Sequence, residues 1–227
     1  MTVSRLLAPL AIAALVLAAL PAAGQQPAPS ADVPLLRPAG IVLNLHSGVT
    51  DRRFVPALRA RLEEALAPPV AVAEIDFDPK PFRGSRGQID ASALSDALIR
   101  AIDWERNAGI VHFVLIEDDM RSGESRFNFA LTSGSAATPW HLSVISLSRL
   151  RQRSWFAEGD ADPARTAERA FKLVAKNVAR VSGYMGSWAC LFRFPRSLAE
   201  LDATPESFCE PDLSVLVAAG IARRPDR

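Results

Sequence analysis

Cysteine, histidine and net charge are all scarce in this chain of 227 residues, and each scarcity excludes something. Two cysteines, Cys190 and Cys209, make a poor zinc site by themselves. Three histidines, His46, His112 and His141, fall on three separate apolar segments, and nothing in their spacing fixes a metal geometry. Lys and Arg number 26 against 25 for Asp and Glu, a balance that argues against a nucleic-acid binder working through overall electrostatics. No Gly-x-Ser-x-Gly elbow sets up a serine nucleophile, and no nucleotide-binding fingerprint occurs. Ser133-Gly134-Ser135 reads as a turn between strands rather than a phosphate loop.

What is present describes one globular domain with a leader, since apolar residues make up 49% of the chain and suffice for a core. Arg5 precedes an apolar run over 6–20, broken by Pro21 and followed by Ala22-Ala23-Gly24. A charged start, a short apolar stretch and small residues before the break predict a secretory signal over 1–24, and hence an exported, periplasmic or extracellular protein. The run is short for a membrane span; an uncleaved anchor is the alternative. Pro, Ala and Gln dominate 25–39, which predicts a flexible tether, and the folded domain is expected over 40–222.

Branched apolar runs at 41–46, 70–77 and 110–116 predict buried strands. Between them, Phe54, Val55, Leu58, Leu62 and Leu66 recur at helical spacing, and a second helix is capped by Asp90 and closed at Gly109. Alternation of Phe127 and Phe129 with polar neighbours predicts an edge strand over 126–131, and 140–147 reads as a further strand. Asp162-Pro163 then starts a long helix that runs to about Ser182. The fold class is therefore α/β (α+β): a mixed sheet of about five strands flanked by helices.

Two side-chain patterns bear on function. Arg165, Arg169, Lys172, Lys176 and Arg180 share an arc of roughly 80° on the long helix, opposite Phe171, Val174, Val178 and Val181. Such a stripe is either a grip for an anion, such as a carboxylate terminus or a phosphate, or an ordinary solvated face. Glu117-Asp118-Asp119, ending a strand, offers acid and base groups or hard-cation ligands, and equally suits a turn or cap.

The segment 176–212 carries more. Lys176-Asn177-Val178-Ala179-Arg180-Val181-Ser182-Gly183-Tyr184-Met185-Gly186 ends the helix, followed by Cys190-Leu191-Phe192, Ser197-Leu198-Ala199-Glu200-Leu201-Asp202 and Phe208-Cys209. This layout resembles the archaemetzincins, a family of metzincin-type zinc metallopeptidases. Their helix carries His-Glu-x-x-His-x-x-Gly-x-x-His, followed by Cys-x-Met, Ser-Leu-x-x-x-Asp and Phe-Cys-x-x-Cys. Arg86-Gly87-Gln88, Phe127-Asn128-Phe129-Ala130 and Ser146-Leu147-Ser148-Arg149-Leu150 are similar to three further family segments, and the family has an Asp-rich segment where 117–119 lies.

Aligned on Gly183, the motif sets Lys176 and Arg180 at the first two His positions, Asn177 at the Glu and Gly186 at the third His. Phe192 stands where the family has the Met beneath the metal. Zinc needs neutral imidazoles or anions and a carboxylate to take a proton from bound water, whereas Lys and Arg are cations that repel it. The resemblance thus implies a metzincin-like fold with a small helical C-terminal subdomain, no catalytic residues and no cofactor. The cationic side of the helix would face the former substrate cleft.

The resemblance also makes Cys190 and Cys209 equivalents of ligands in a second, all-cysteine zinc site whose other members fall at or near Trp188 or Ala189 and at Asp212. A disulfide is then the expected replacement for that metal, with two unpaired thiols as the alternative. The functional expectation is an inactive, exported archaemetzincin-like domain that binds an anionic ligand or an envelope protein. Its competitor is a zinc peptidase whose metal has moved to the three histidines or to 117–119.

Overall fold

Branched apolar runs become the central strands, because side chains buried on both faces leave no room for polar alternation. In a computed structural model that describes residues 35–153 and 162–225, β1 (Gly40–His46), β4 (Ile110–Ile116) and β7 (Leu142–Ser146) lie side by side in parallel. The expected leader over 1–24 and the tether up to 34 lie outside the described residues. The strand β2 (Val70–Ile75) pairs in parallel with the outer side of β1. At the opposite edge β6 (Ala130–Ser133) runs antiparallel to β7, giving the order β2-β1-β4-β7-β6. A short parallel pair, β3 (Ile89–Asp90) with β5 (Met120–Arg121), sits apart from this sheet.

Strand periodicity divides the core between the two faces of the sheet. Ile41, Leu43, Leu45, Val111, Phe113 and Leu115 pack with α1 (Val55–Ala65) and with α4 (Pro163–Val181). Val114, Ile116, Leu142 and Val144 pack with α2 (Ala91–Ala101) on the other face. Helix starts follow local chemistry: the Asp90 carboxylate accepts the Ser92 and Ala93 amides at 3.0 and 3.1 Å, and that of Asp162 accepts the Arg165 amide at 2.8 Å. Proline at the first position of α4 forgoes an amide that has no partner there.

After α4 the chain builds a helical appendage from a 3-10 turn at Cys190–Phe192, α5 (Leu198–Asp202) and α6 (Asp212–Ala218). Leu191, Phe192, Leu198, Leu201, Phe208 and Leu216 join the α1 and α4 core, and Ala222 bridges back to Leu66. No helix among the described residues is long and apolar enough to cross a membrane.

Three expectations shift. The edge strand is β6 at Ala130–Ser133 rather than 126–131, because Asn128 leaves the ladder to bond the Met120 carbonyl and the Ser122 amide. Phe127 and Phe129 consequently stack edge-to-face on each other at 5.1 Å instead of alternating across a sheet. The second helix ends at Ala101, and Gly109, at φ +74, closes a separate turn just before β4. A one-turn helix, α3 (Leu147–Leu150), follows β7 where a loop was expected.

Candidate functional site

The five cations of α4 do not form one face toward one cleft; their partners divide them. Arg169 is 1% exposed and is consumed by structure: its guanidinium meets both Asp202 oxygens at 2.6 and 2.7 Å and donates to the Leu150 and Gln152 carbonyls. Lys172, at 2%, pairs with Glu168 at 2.7 Å and donates to the carbonyls of Leu201 and Asp202. Arg165 is an exposed partner of the same Glu168. Arg169 and Lys172 tie α4 to α5 and to the end of α3 rather than facing an anion cleft, and Arg165 pairs within its own helix; the expectation of five cations lining one cleft is therefore corrected for these three. The solvated alternative fails as well, since Arg169 and Lys172 are buried.

Lys176 and Arg180 differ. Lys176 is 4% exposed, yet its ammonium makes only a 3.3 Å hydrogen bond to the Arg193 carbonyl and lies 5.7 Å from the Phe194 ring. Arg180 is half-buried, its Nε is enclosed without any hydrogen-bond partner, and its guanidinium stands 5.4 Å from the Trp188 ring. Neither forms an ion pair with a described carboxylate. Burial, and then the neighbouring Arg180, bring the Lys176 pKa down from 10.5 to about 8, and burial lowers that of Arg180.

Both cations open on a groove of about 540 Å³ between α4, the edge strand β6 and the segment after the 3-10 turn. Asn177 lines it too, and its amide makes no hydrogen bond to another described residue. Arg126 and Arg196 add two further cations, Ser125, Asn128 and Thr132 add neutral polar groups, Phe127, Phe129 and Phe194 supply apolar walls, and no acidic side chain among the described residues lines it. Arg126, Arg196 and Phe194 were missed in the sequence. The run Arg193-Phe194-Pro195-Arg196, basic and aromatic in alternation, was the available signal.

The motif positions do not suit zinc. Lys176 and Arg180 present cationic donors, Asn177 offers no carboxylate, and Gly186 has no side chain at all. Nor could Gly186 carry one in place: its φ is +73, and the Phe192 ring occupies the space that a Cβ would need. Phe192 in turn packs edge-to-face on Tyr184 at 5.5 Å and against Phe208 at 5.4 Å. An aromatic plug thus fills the volume beneath the motif helix.

Cys190 and Cys209 are joined as a disulfide, with their Cα atoms 5.7 Å apart. Beside it, Asp212 is buried and accepts the Tyr184 hydroxyl at 2.7 Å and the Ser187 hydroxyl. Burial and the Asp212 bond push the Tyr184 pKa up. A covalent bond and a hydrogen-bonded carboxylate therefore hold the segment that the resemblance assigned to a second metal.

The relocated-metal reading finds no cluster to support it: among the described residues no three of His, Cys, Asp and Glu gather to hold an ion. His46 ends β1 and bonds the Phe77 carbonyl at 2.9 Å. His112 lies within β4 between Asn44 and Asn107, and His141, also buried, precedes β7; burial lowers the pKa of both. The acidic run is paired off by arginine: Glu117 with Arg151, Asp118 with Arg83, and Asp119 bidentate with Arg149 at 2.9 and 2.7 Å. Gln88 also donates to Asp119 at 2.9 Å, and Phe127 lies 4.1 Å beneath Arg149. Four family-like segments meet at this one junction, which is structural.

No family model matches the chain. No curated protein matches it either. Three solved structures do. An archaemetzincin from Methanopyrus kandleri superposes with a TM-score of 0.62 at 20% identity, covering 79% of this chain and 94% of that one. A zinc-dependent peptidase from Methanocorpusculum labreanum gives 0.60 at 22%, covering 78% and 100%. An archaemetzincin from Archaeoglobus fulgidus, complexed with malonate, gives 0.59 at 22%, covering 77% and 98%. Superposing at these scores over nearly the whole of those chains, this protein has the archaemetzincin fold.

Proposed function

We propose that this is a non-hydrolytic, exported binding domain whose groove takes an anionic group between Lys176 and Arg180. One observation carries the reading: among the described residues, a groove lined by Arg126, Lys176, Arg180 and Arg196 has no carboxylate in its lining, and Lys176 and Arg180 lack an ion-pair partner. Buried charge without compensation costs several kcal/mol in principle. An arriving carboxylate or phosphate offsets that cost with charge-assisted hydrogen bonds. Zinc-dependent hydrolysis is excluded from the proposal by donor chemistry, since no set of side chains at the motif can hold zinc and Asn177 supplies no carboxylate to deprotonate a zinc-bound water.

Export rests on the leader pattern over 1–24, and the Cys190–Cys209 bond suits an oxidising compartment. The partner is a small anion or the acidic group of an envelope protein. The malonate held by the A. fulgidus protein makes a dicarboxylate the first probe to try. Calorimetric titration with malonate, and separately with inorganic phosphate, is expected to show one site per chain, weakened at least tenfold in Lys176→Met and in Arg180→Met. Undiminished affinity in both variants would remove the groove from consideration.

A further inference from the structure

The lysine inventory is small: Lys80, Lys172 and Lys176 are the only three in the chain. Lys80 is exposed at the start of a short 3-10 turn, and Lys172 is locked to Glu168 and two carbonyls. Lys176 lines the groove, and no carboxylate among the described residues pairs with it to hold its proton. We infer that Lys176 is a nucleophilic amine that condenses reversibly with a 2-oxo acid, whose carboxylate is received by Arg180. This inference rests on the anion-binding reading of the groove and deepens it by naming the class of ligand.

An amine reacts with a carbonyl only when it carries a free electron pair, so its surroundings must favour the neutral form. Here burial is the larger influence and the adjacent Arg180 the second, and together they lower the Lys176 pKa to about 8. Arg180 acts on the amine electrostatically, and the other charged side chains lining the groove are Arg196, from the segment after the 3-10 turn, and Arg126, from the loop before β6; Arg196 is itself paired with Glu200 at 3.7 Å, outside the lining. Arg180 is one helical turn beyond Lys176, which sets amine and guanidinium on the same face at neighbouring positions. A 2-oxo acid carries its carbonyl carbon directly beside its carboxylate and so presents both groups to both side chains. Asn177 borders the same space with an uncommitted amide, able to donate to the carbonyl oxygen.

The step balances without any further reagent. The Lys176 nitrogen pair attacks the carbonyl carbon, a C–N bond forms, and the carbonyl oxygen departs as water with the two amine hydrogens. The neutral imine takes one proton from solvent to become the iminium, and water reverses the sequence.

Incubation of the full chain with pyruvate and cyanoborohydride traps an imine as a stable secondary amine, and peptide mass spectrometry locates it. A carboxyethyl group on Lys176, in at least tenfold excess over Lys80, is the expected result. Malonate should suppress it in the unmodified chain, and Arg180→Met should lose most pyruvate labelling while still reacting with propanal, which has no carboxylate. Absence of an adduct at Lys176 overturns the inference, and calorimetric malonate binding in the same sample shows that the anion site survives it. Pyruvate labelling that neither malonate nor Arg180→Met diminishes also overturns it, because the carboxylate is then not received at Arg180.

Discussion

The two halves of α4 carry the same kind of charge at similar depth and put it to opposite uses. In the first half, Arg169 and Lys172 are matched by Asp202, Glu168 and four backbone carbonyls, so each buried cation is compensated. In the second half, Lys176 and Arg180 have one long hydrogen bond and two aromatic rings between them. A protein optimised only for stability would not leave two desolvated cations side by side. The contrast teaches that the first half of the helix is framework, whereas the second half leaves its charge uncompensated among the described residues.

The comparison breaks most readily at Arg169. Replacement by Met keeps the volume but strands Asp202 and two carbonyls, and should cost roughly 3–5 kcal/mol in chemical denaturation. Loss of the Cys190–Cys209 bond, by reduction or as a double Ala variant, should cost about 3 kcal/mol, because 19 residues separate the two ends of the loop. A smaller loss, about 2 kcal/mol, is expected for Gly186→Ala, whose methyl group collides with the Phe192 ring at a positive φ. Equal stability of that variant and the parent would mean that the plug yields easily.

The second half should respond in the opposite direction. Lys176 titrates near 8 when folded and near 10.5 when unfolded, so between those values the unfolded chain binds more protons and stability rises with pH. The rise should amount to about 1 kcal/mol between pH 8 and 9, before ionisation of Tyr184 in the unfolded chain, near pH 10, begins to oppose it. Lys176→Met should abolish it. A flat profile in the parent would show that solvent already compensates the amine.

Fold was legible where a pattern is local. The runs at 41–46 and 110–116, the Asp90 and Asp162 caps and the period of α4 each follow from neighbours a few residues apart. The edge strand was misplaced because Asn128 has a tertiary partner, the Met120 carbonyl, that alternation cannot reveal. At the site, the helical period showed which cations share a side but not which of them meet a carboxylate. Asp202 lies 33 residues from Arg169, and only the packing of α5 brings it there. Arg196 escaped because its segment has no periodic signal, and Arg126 because the alternation of 126–131 does not show which groove its residues join. The motif substitutions at Lys176, Asn177, Arg180 and Gly186 were readable at once, because donor chemistry is a property of the residue itself.

Thermal unfolding of the parent and of a Lys176→Met/Arg180→Met double variant, each with and without malonate, tests the uncompensated pair directly. The account predicts that the variant melts at a higher temperature than the ligand-free parent and that malonate raises only the parent's midpoint. A variant that melts lower, or that keeps the malonate response, would contradict it.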